Sequence, residues 1–239
     1  MYKIIFLFSV TLVMVSSCQY RSGKRVSGNG TRGSEERNIT GFTGAETHGS
    51  IDIIASQGSY HVRVETDQNL LQYVETTVEN GHLMVRFKRG ISLHDFRGAK
   101  VYITAPALNV FETHGSGNIS SQGKISDKNK IDAVVSGSGD IQLQLDCPDV
   151  TTDTHGSGNI TLAGESKNLS TRINGSGNVK AEDLKAETVK VSIHGSGDTR
   201  IFASESLDVE VSGSGDVHYR GAPRISTSIH GSGSVSKID

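Results

Sequence analysis

Apolar and polar residues alternate with a period of two along most of this chain, which predicts strands that bury one face. The clearest cases are Leu169, Thr171, Ile173; Val189, Val191, Ile193; Leu207, Val209, Val211; and Ile225, Thr227, Ile229. Further upstream, Tyr60 to Val64 and Val101 to Thr104 alternate in the same way. Val74 to Val78 and Leu83 to Phe87 flank Asn80-Gly81 as the arms of a hairpin. Between Glu112 and the end, no stretch has the length and 3.6-residue period of a helix.

The alternating runs are punctuated by one tetrapeptide. G-S-G-[N/D/S] starts at Gly115, Gly137, Gly156, Gly175, Gly195, Gly213 and Gly231, at spacings of 22, 19, 19, 20, 18 and 18 residues, too regular for unrelated loops. Each copy is followed by Ile119, Ile141, Ile160, Val179, Thr199, Val217 or Val235, so the unit is strand, glycine corner, second strand and a polar connection. About 19 residues at roughly 3.3 Å each match the perimeter of one coil of a small β-helix, with successive coils about 4.8 Å apart. We therefore expect a right-handed parallel β-helix of about seven coils. The glycines form structural corners, and Ser and Asn side chains bond from coil to coil. An antiparallel meander with the motif at hairpin tips fits the same alternation, but gives no reason for every corner to share one sequence. Thr47-His48-Gly49-Ser50-Ile51 looks like Thr113-His114-Gly115-Ser116-Gly117-Asn118-Ile119 with two residues removed, a degenerate first coil. Residues 38–112 are read as an N-terminal cover, continuous with the array at 113–236 in a single domain.

The recurring Gly117-Asn118-Ile119 and Gly158-Asn159-Ile160, with their Gly-Asp-Ile and Gly-Asn-Val variants, resemble the head-GIN-domain family of putative auto-transporter adhesins. That family is common in Bacteroidetes-type bacteria, often as lipoproteins. The resemblance covers residues 38–236 and implies an all-β, β-helical fold outside the cytoplasm, with little implied chemistry. Asp140, Asp198 and Asp216 stand where Asn is expected, and Ser234 replaces it in the last copy, which puts a uniform Asn ladder in doubt.

The first residues carry a different signal. Lys3 precedes an apolar run from Ile4 to Val15 that is too short to span a membrane and reads as a secretory signal. Val15-Ser16-Ser17-Cys18 resembles a bacterial lipobox, so residues 1–17 are expected to be removed and Cys18 to be lipidated, anchoring the chain to a membrane. Gln19, rather than Asp, follows the cysteine, as in similar lipoproteins that pass to the outer membrane. Residues 18–37, rich in Gly, Ser and basic side chains, read as a flexible tether. Lipidation leaves Cys147 without a disulfide partner and in the role of a small buried residue.

Composition excludes several classes. With 28 Gly but only 3 Pro in 239 residues, the chain is neither collagen-like nor a disordered Pro/Gly tract. A net charge of -2 rules out broad cationic binding of nucleic acid.

Histidine opens four motifs, at His114, His155, His194 and His230, with Ser136, Asn174 and Ser212 between them. On that count no two histidines are adjacent in the stack. Histidines two coils apart, about 9.6 Å, are too distant to share an ion, so we expect no metal and no cofactor. G-S-G-D resembles part of a calcium-binding glycine-rich nonapeptide, but Asp140, Asp198 and Asp216 recur irregularly, which favours a structural corner. Glu182, Asp183, Lys185 and Glu187 have mixed sign and read as a solvated face. From Glu112 onward only Phe202 and Tyr219 are aromatic, which weakens sugar-binding readings.

These observations lead to a non-enzymatic, membrane-tethered β-solenoid of the cell envelope, an adhesin or structural protein with an unidentified protein or glycan partner. The alternatives are a polysaccharide-active β-helical enzyme and a periplasmic binding or sensing module. The last coil, with Ser234 in its corner and only Lys237 and Asp239 as charges beyond it, is expected to allow end-to-end association.

Overall fold

A computed structural model describes residues 23–239. The signal segment, Cys18 and the first part of the expected tether lie outside the described residues. The alternating runs are strands throughout: β1 (Lys24–Ser27), β2 (Arg32–Arg37), β3 (Gly44–Gly49), β4 (Ile51–Gln57), β5 (His61–Asp67), β6 (Val74–Glu79), β7 (His82–Phe87), β8 (Ile91–His94), β9 (Ala99–Ala105) and β10 (Val110–Gly115). The array continues with β11 (Ile119–Ser126), β12 (Lys130–Gly137), β13 (Ile141–Gly156), β14 (Ile160–Gly175), β15 (Val179–Gly195), β16 (Thr199–Gly213), β17 (Val217–Gly221), β18 (Arg224–Gly231) and β19 (Val235–Lys237). No helix among the described residues is long and apolar enough to cross a membrane.

From β10 onward every pairing is parallel and joins equivalent residues of successive units, so the array is a β-solenoid and the meander is excluded. The stack makes about six turns rather than seven.

The period-two alternation becomes columns in the core. Ile53, Ile119, Ile141, Ile160, Val179, Thr199 and Val217 lie over one another in register and are buried. Each aliphatic side chain so buried contributes about 1.5–3 kcal/mol. Volume is balanced along the stack too: Phe111, fully buried, sits between Ala45 and Ala133. A large ring between two small neighbours fills the layer without strain. Among the threonines that enter the core, Thr152 Oγ1 donates to Thr171 Oγ1 across one coil interval at 2.6 Å, whereas the Thr154 and Thr199 hydroxyls have no partner among the described residues.

The N-terminal segment extends the stack and then closes it. β3 and β4 run parallel beneath β10 and β11, with Gly49 under Gly115, so this is a true leading coil. The expected two-residue deletion is wrong, however: Ile53 pairs with Ile119, which aligns Ile51 with Gly117 and Asp52 with Asn118. Thr47 Oγ1 donates to the Ile51 carbonyl as Thr113 Oγ1 donates to that of Gly117, at 2.7 and 2.6 Å. β7 and β9 continue the parallel order against β3 and β4, and antiparallel pairs begin beyond them. β6 and β7 form the expected hairpin, its turn residues Asn80 and Gly81 both at positive φ, and β5 pairs with β9 and β2.

The stretch expected as a tether is partly ordered. β1 pairs with β8, and β2 forms an edge beside β5. Both are held mainly through backbone hydrogen bonds, so their sequences carry no apolar period.

The corners explain the glycines. Gly175 has φ 139°, and a Cβ there would stand 2.4 Å from the carbonyl oxygen of Gly156 in the coil below. Gly177 has no positive φ, yet a Cβ would approach the Gly158 oxygen to 2.1 Å. One glycine serves conformation and approach, the other approach alone. We expect Gly175→Val to lower stability by at least about 1 to 3 kcal/mol, and the exposed Lys167→Ala to change it by less than about 0.5, as read from chemical denaturation. Equal effects would mean that the corners are ordinary flexible loops.

Candidate functional site

Three features of the solenoid surface carry candidate chemistry: the acceptor row beside the corners, the histidine row, and a groove over the polar connections.

The acceptor row is continuous. The backbone N–H groups of Asn118, Asp140, Asn159, Asn178, Asp198, Asp216 and Ser234 donate in turn to Oδ1 of Asp52, Asn118, Asp140, Asn159, Asn178, Asp198 and Asp216, at 2.8–3.2 Å. The doubt about a uniform ladder is thus resolved by chemistry. The coil above needs an acceptor oxygen, and Asn and Asp supply it equally. Asp140, Asp198 and Asp216 each spend one carboxylate oxygen on this bond, which accounts for these residues as corner elements. Asp216 also accepts from Ser234 Oγ at 2.7 Å. The Ser234 side-chain and backbone bonds together hold its carboxyl below the ordinary range.

The expected corner glycines Gly115, Gly137, Gly156, Gly175, Gly195, Gly213 and Gly231 stack in one column on Gly49. Each carbonyl below accepts from the serine N–H above, from Ser116 on Gly49 to Ser232 on Gly213, at 2.8–2.9 Å.

The histidine row departs from expectation at one point. Downstream the order is as read: His114, Ser136, His155, Asn174, His194, Ser212 and His230 are successive neighbours. Upstream, His114 pairs directly with His48, and their rings stack with centroids 4.8 Å apart and planes at 21°. Two histidines are therefore adjacent after all. The sequence count began at His114 and left out the leading coil, although Thr47-His48-Gly49 repeats the Thr-His-Gly of that motif. In the same register Glu46 lies beside Glu112. His48 Nε2 is 2.5 Å from Glu46 Oε1, while His114 Nε2 is 3.5 Å from that oxygen and 3.3 Å from Glu112 Oε2. This cluster opens into a recess of about 460 Å³ whose far wall includes His82, Met84 and Arg86.

A second recess of about 400 Å³ lies over the connections and is lined by Cys147, Pro148, Ser166, Lys185, Phe202 and Ser204. Lys185 Nζ sits 4.3 Å from the centre of the Phe202 ring. That cation covers a ring face on which a sugar would stack. Cys147 is buried, donates to the Asp149 carbonyl at 3.2 Å, and has its thiol pushed up by burial, the opposite of an activated nucleophile.

Fold and surface together define a parallel β-solenoid stacked on repeated glycine corners and closed at its N-terminal end by antiparallel strands. Residues 41–223 match the family described as putative auto-transporter adhesin, head GIN domain, and the chain belongs to that family. Among solved structures it is similar to a putative adhesin from Bacteroides fragilis NCTC 9343, at 24% identity and TM-score 0.84, over 89% of this chain and 100% of that one. It is also similar to a putative lipid binding protein from Parabacteroides distasonis ATCC 8503, at 28% identity and TM-score 0.74, over 90% of this chain and 100% of that one. A putative adhesin from Parabacteroides merdae ATCC 43184 has the same architecture at 22% identity and TM-score 0.70, over 90% of this chain and 100% of that one. No curated protein matches the chain.

Proposed function

We infer that this protein is an adhesin-like, non-enzymatic component of the bacterial cell envelope, anchored by lipid on Cys18 and passed to the outer membrane. The observation that carries this reading is the unbroken run of coil-to-coil bonds from Asp52 to Ser234, which makes the domain a stiff stack with a solid core. Such a stack is suited to presenting an outer face to a protein or glycan partner, because outward side chains vary without disturbing the ladder. The family and the adhesin neighbours support the same role.

The Parabacteroides distasonis neighbour raises lipid binding as a second reading. The core of this chain is filled by aliphatic side chains at 0–3% exposure, so an acyl chain would have to be held on the outer surface. Tethering through Cys18 needs no such cavity.

The proposed self-association surface is the last coil. Among the described residues β18 pairs on one edge only, with β16, and it exposes Ile225 at 43% and Ile229 at 39% where their neighbours Leu207 and Val211 are buried. A second copy meeting this edge through a two-fold axis would pair the two β18 strands antiparallel and cover both isoleucines.

Two outcomes are expected. Cys18→Ser should abolish palmitate labelling and release a folded domain from membranes; labelling that persists in the variant contradicts the anchor. Solution scattering should show the longest dimension rising with concentration, and Ile225→Lys with Ile229→Lys should hold it at the single-chain value. A dimension independent of concentration in the unaltered protein rules the contact out.

A further inference from the structure

We propose that Glu46, His48 and His114, with Glu112 beside them, form a binding site for a divalent transition-metal ion at the seam between the N-terminal cover and the array. The placement follows from strand register. In each strand the glutamate precedes the histidine by two residues, so both point to the same outward face. Parallel pairing of β3 with β10 then brings the two pairs side by side. One ring nitrogen of each histidine and a carboxylate oxygen of Glu46 lie within 4.8 Å of one another. Ligand atoms about 2.1 Å from one tetrahedral ion are roughly 3.3 Å apart. The distances here bracket that value: Glu46 Oε1 lies 2.5 Å from one ring nitrogen and 3.5 Å from the other. Small rotations of exposed side chains bring the set to an ion.

Charge points the same way. Two carboxylates on directly opposite positions of neighbouring strands repel, and neutral imidazoles do not relieve this. The surrounding groups leave the deficit in place. Arg86, beside His48 on β7, gives its Nε–H to Glu75 at 2.9 Å, and Glu79, His82 and Arg89 line the outer part of the recess. A dication supplies the missing charge.

The donor set selects the ion. Two imidazoles with one or two carboxylates suit Zn²⁺, Cu²⁺ or Ni²⁺, whereas Ca²⁺ and Mg²⁺ prefer all-oxygen ligands. On binding, each Nε2 uses its lone pair. A proton that it shared with a glutamate moves to Nδ1 or, from imidazolium, to solvent. Protons and the ion thus compete for the same lone pairs. The half-exposed rings and the open recess leave room for water on the ion.

The same row contains an internal control. His155 also follows an acidic residue by two, with Nε2 3.1 Å from Asp153 Oδ1, but its neighbours are Ser136 and Asn174, and Arg172 Nη1 approaches Asp153 at 3.5 Å. One histidine, one carboxylate and a cation do not make a site.

The test is titration of the untagged full chain, in detergent, with Zn²⁺ alone and with Cu²⁺ alone. We expect one ion per chain. His48→Ala and His114→Ala should each weaken binding at least about tenfold, and His155→Ala should leave it unchanged. Melting of each variant in chelator reports folding separately. If a histidine variant fails to fold, Glu46→Gln, which keeps the side-chain shape, replaces it and should also weaken binding. The copper spectrum of the unaltered protein should show coupling to two ring nitrogens. No bound ion, equal loss in His155→Ala, or a spectrum without nitrogen coupling overturns the proposal, whatever the fate of the adhesin reading.

Discussion

The interval of about 4.8 Å between coils, repeated at the glycine corners, is the constraint on which the rest of this molecule depends. There two stretches of backbone lie directly over each other, with the carbonyl oxygen of one coil pointing at the next. The approach is so close that a Cβ at Gly175 or Gly177 would fall inside the contact distance of the carbonyl oxygen of Gly156 or Gly158, respectively, in the coil below. Removing both Cβ atoms lets the serine N–H and the second glycine N–H share the carbonyl below. The residue that follows offers its own side-chain oxygen to the coil above. Where all three bonds form, as at Ser157, Gly158 and Asn159, three backbone donors are satisfied without a helix or a hairpin turn, and the strands on either side inherit their register.

Because the constraint recurs in every coil, it was legible in the sequence wherever its residue requirements were met in full. The array from Gly115 to Gly231 met them, and its parallel order, its columns of Ile and Val and its corner role all followed from spacing alone. The leading coil met them only in part. Ile51 stands in place of Gly117, with Ala99 of β9 as its partner on the other side, and its bulk disguised the alignment. Asp52 went unrecognised as the first acceptor for the same reason. β1 and β2 were invisible because edge strands held by backbone bonds need no apolar period.

The histidine row shows how a repeat can hide chemistry. Within the array, His alternates with Ser or Asn, which keeps imidazoles apart. At the seam, Thr47-His48-Gly49 meets Thr113-His114-Gly115 with no spacer between them, and the preceding glutamates coincide as well. The functional content of that spot lies in the register of two strands more than sixty residues apart in sequence. Elsewhere the outward positions carry charges of mixed sign.

The central claim is that the corners belong to the hydrogen-bonded ladder and are not loops between strands. Native-state amide hydrogen exchange of the full chain, resolved by residue, tests it most directly. The account predicts that the N–H groups of Ser157, Gly158 and Asn159, and of Ser176, Gly177 and Asn178, exchange as slowly as the neighbouring strand amides, although the corners lie at the surface. Exchange at these corners close to the rate of an open chain, with protection confined to the strands, would contradict it.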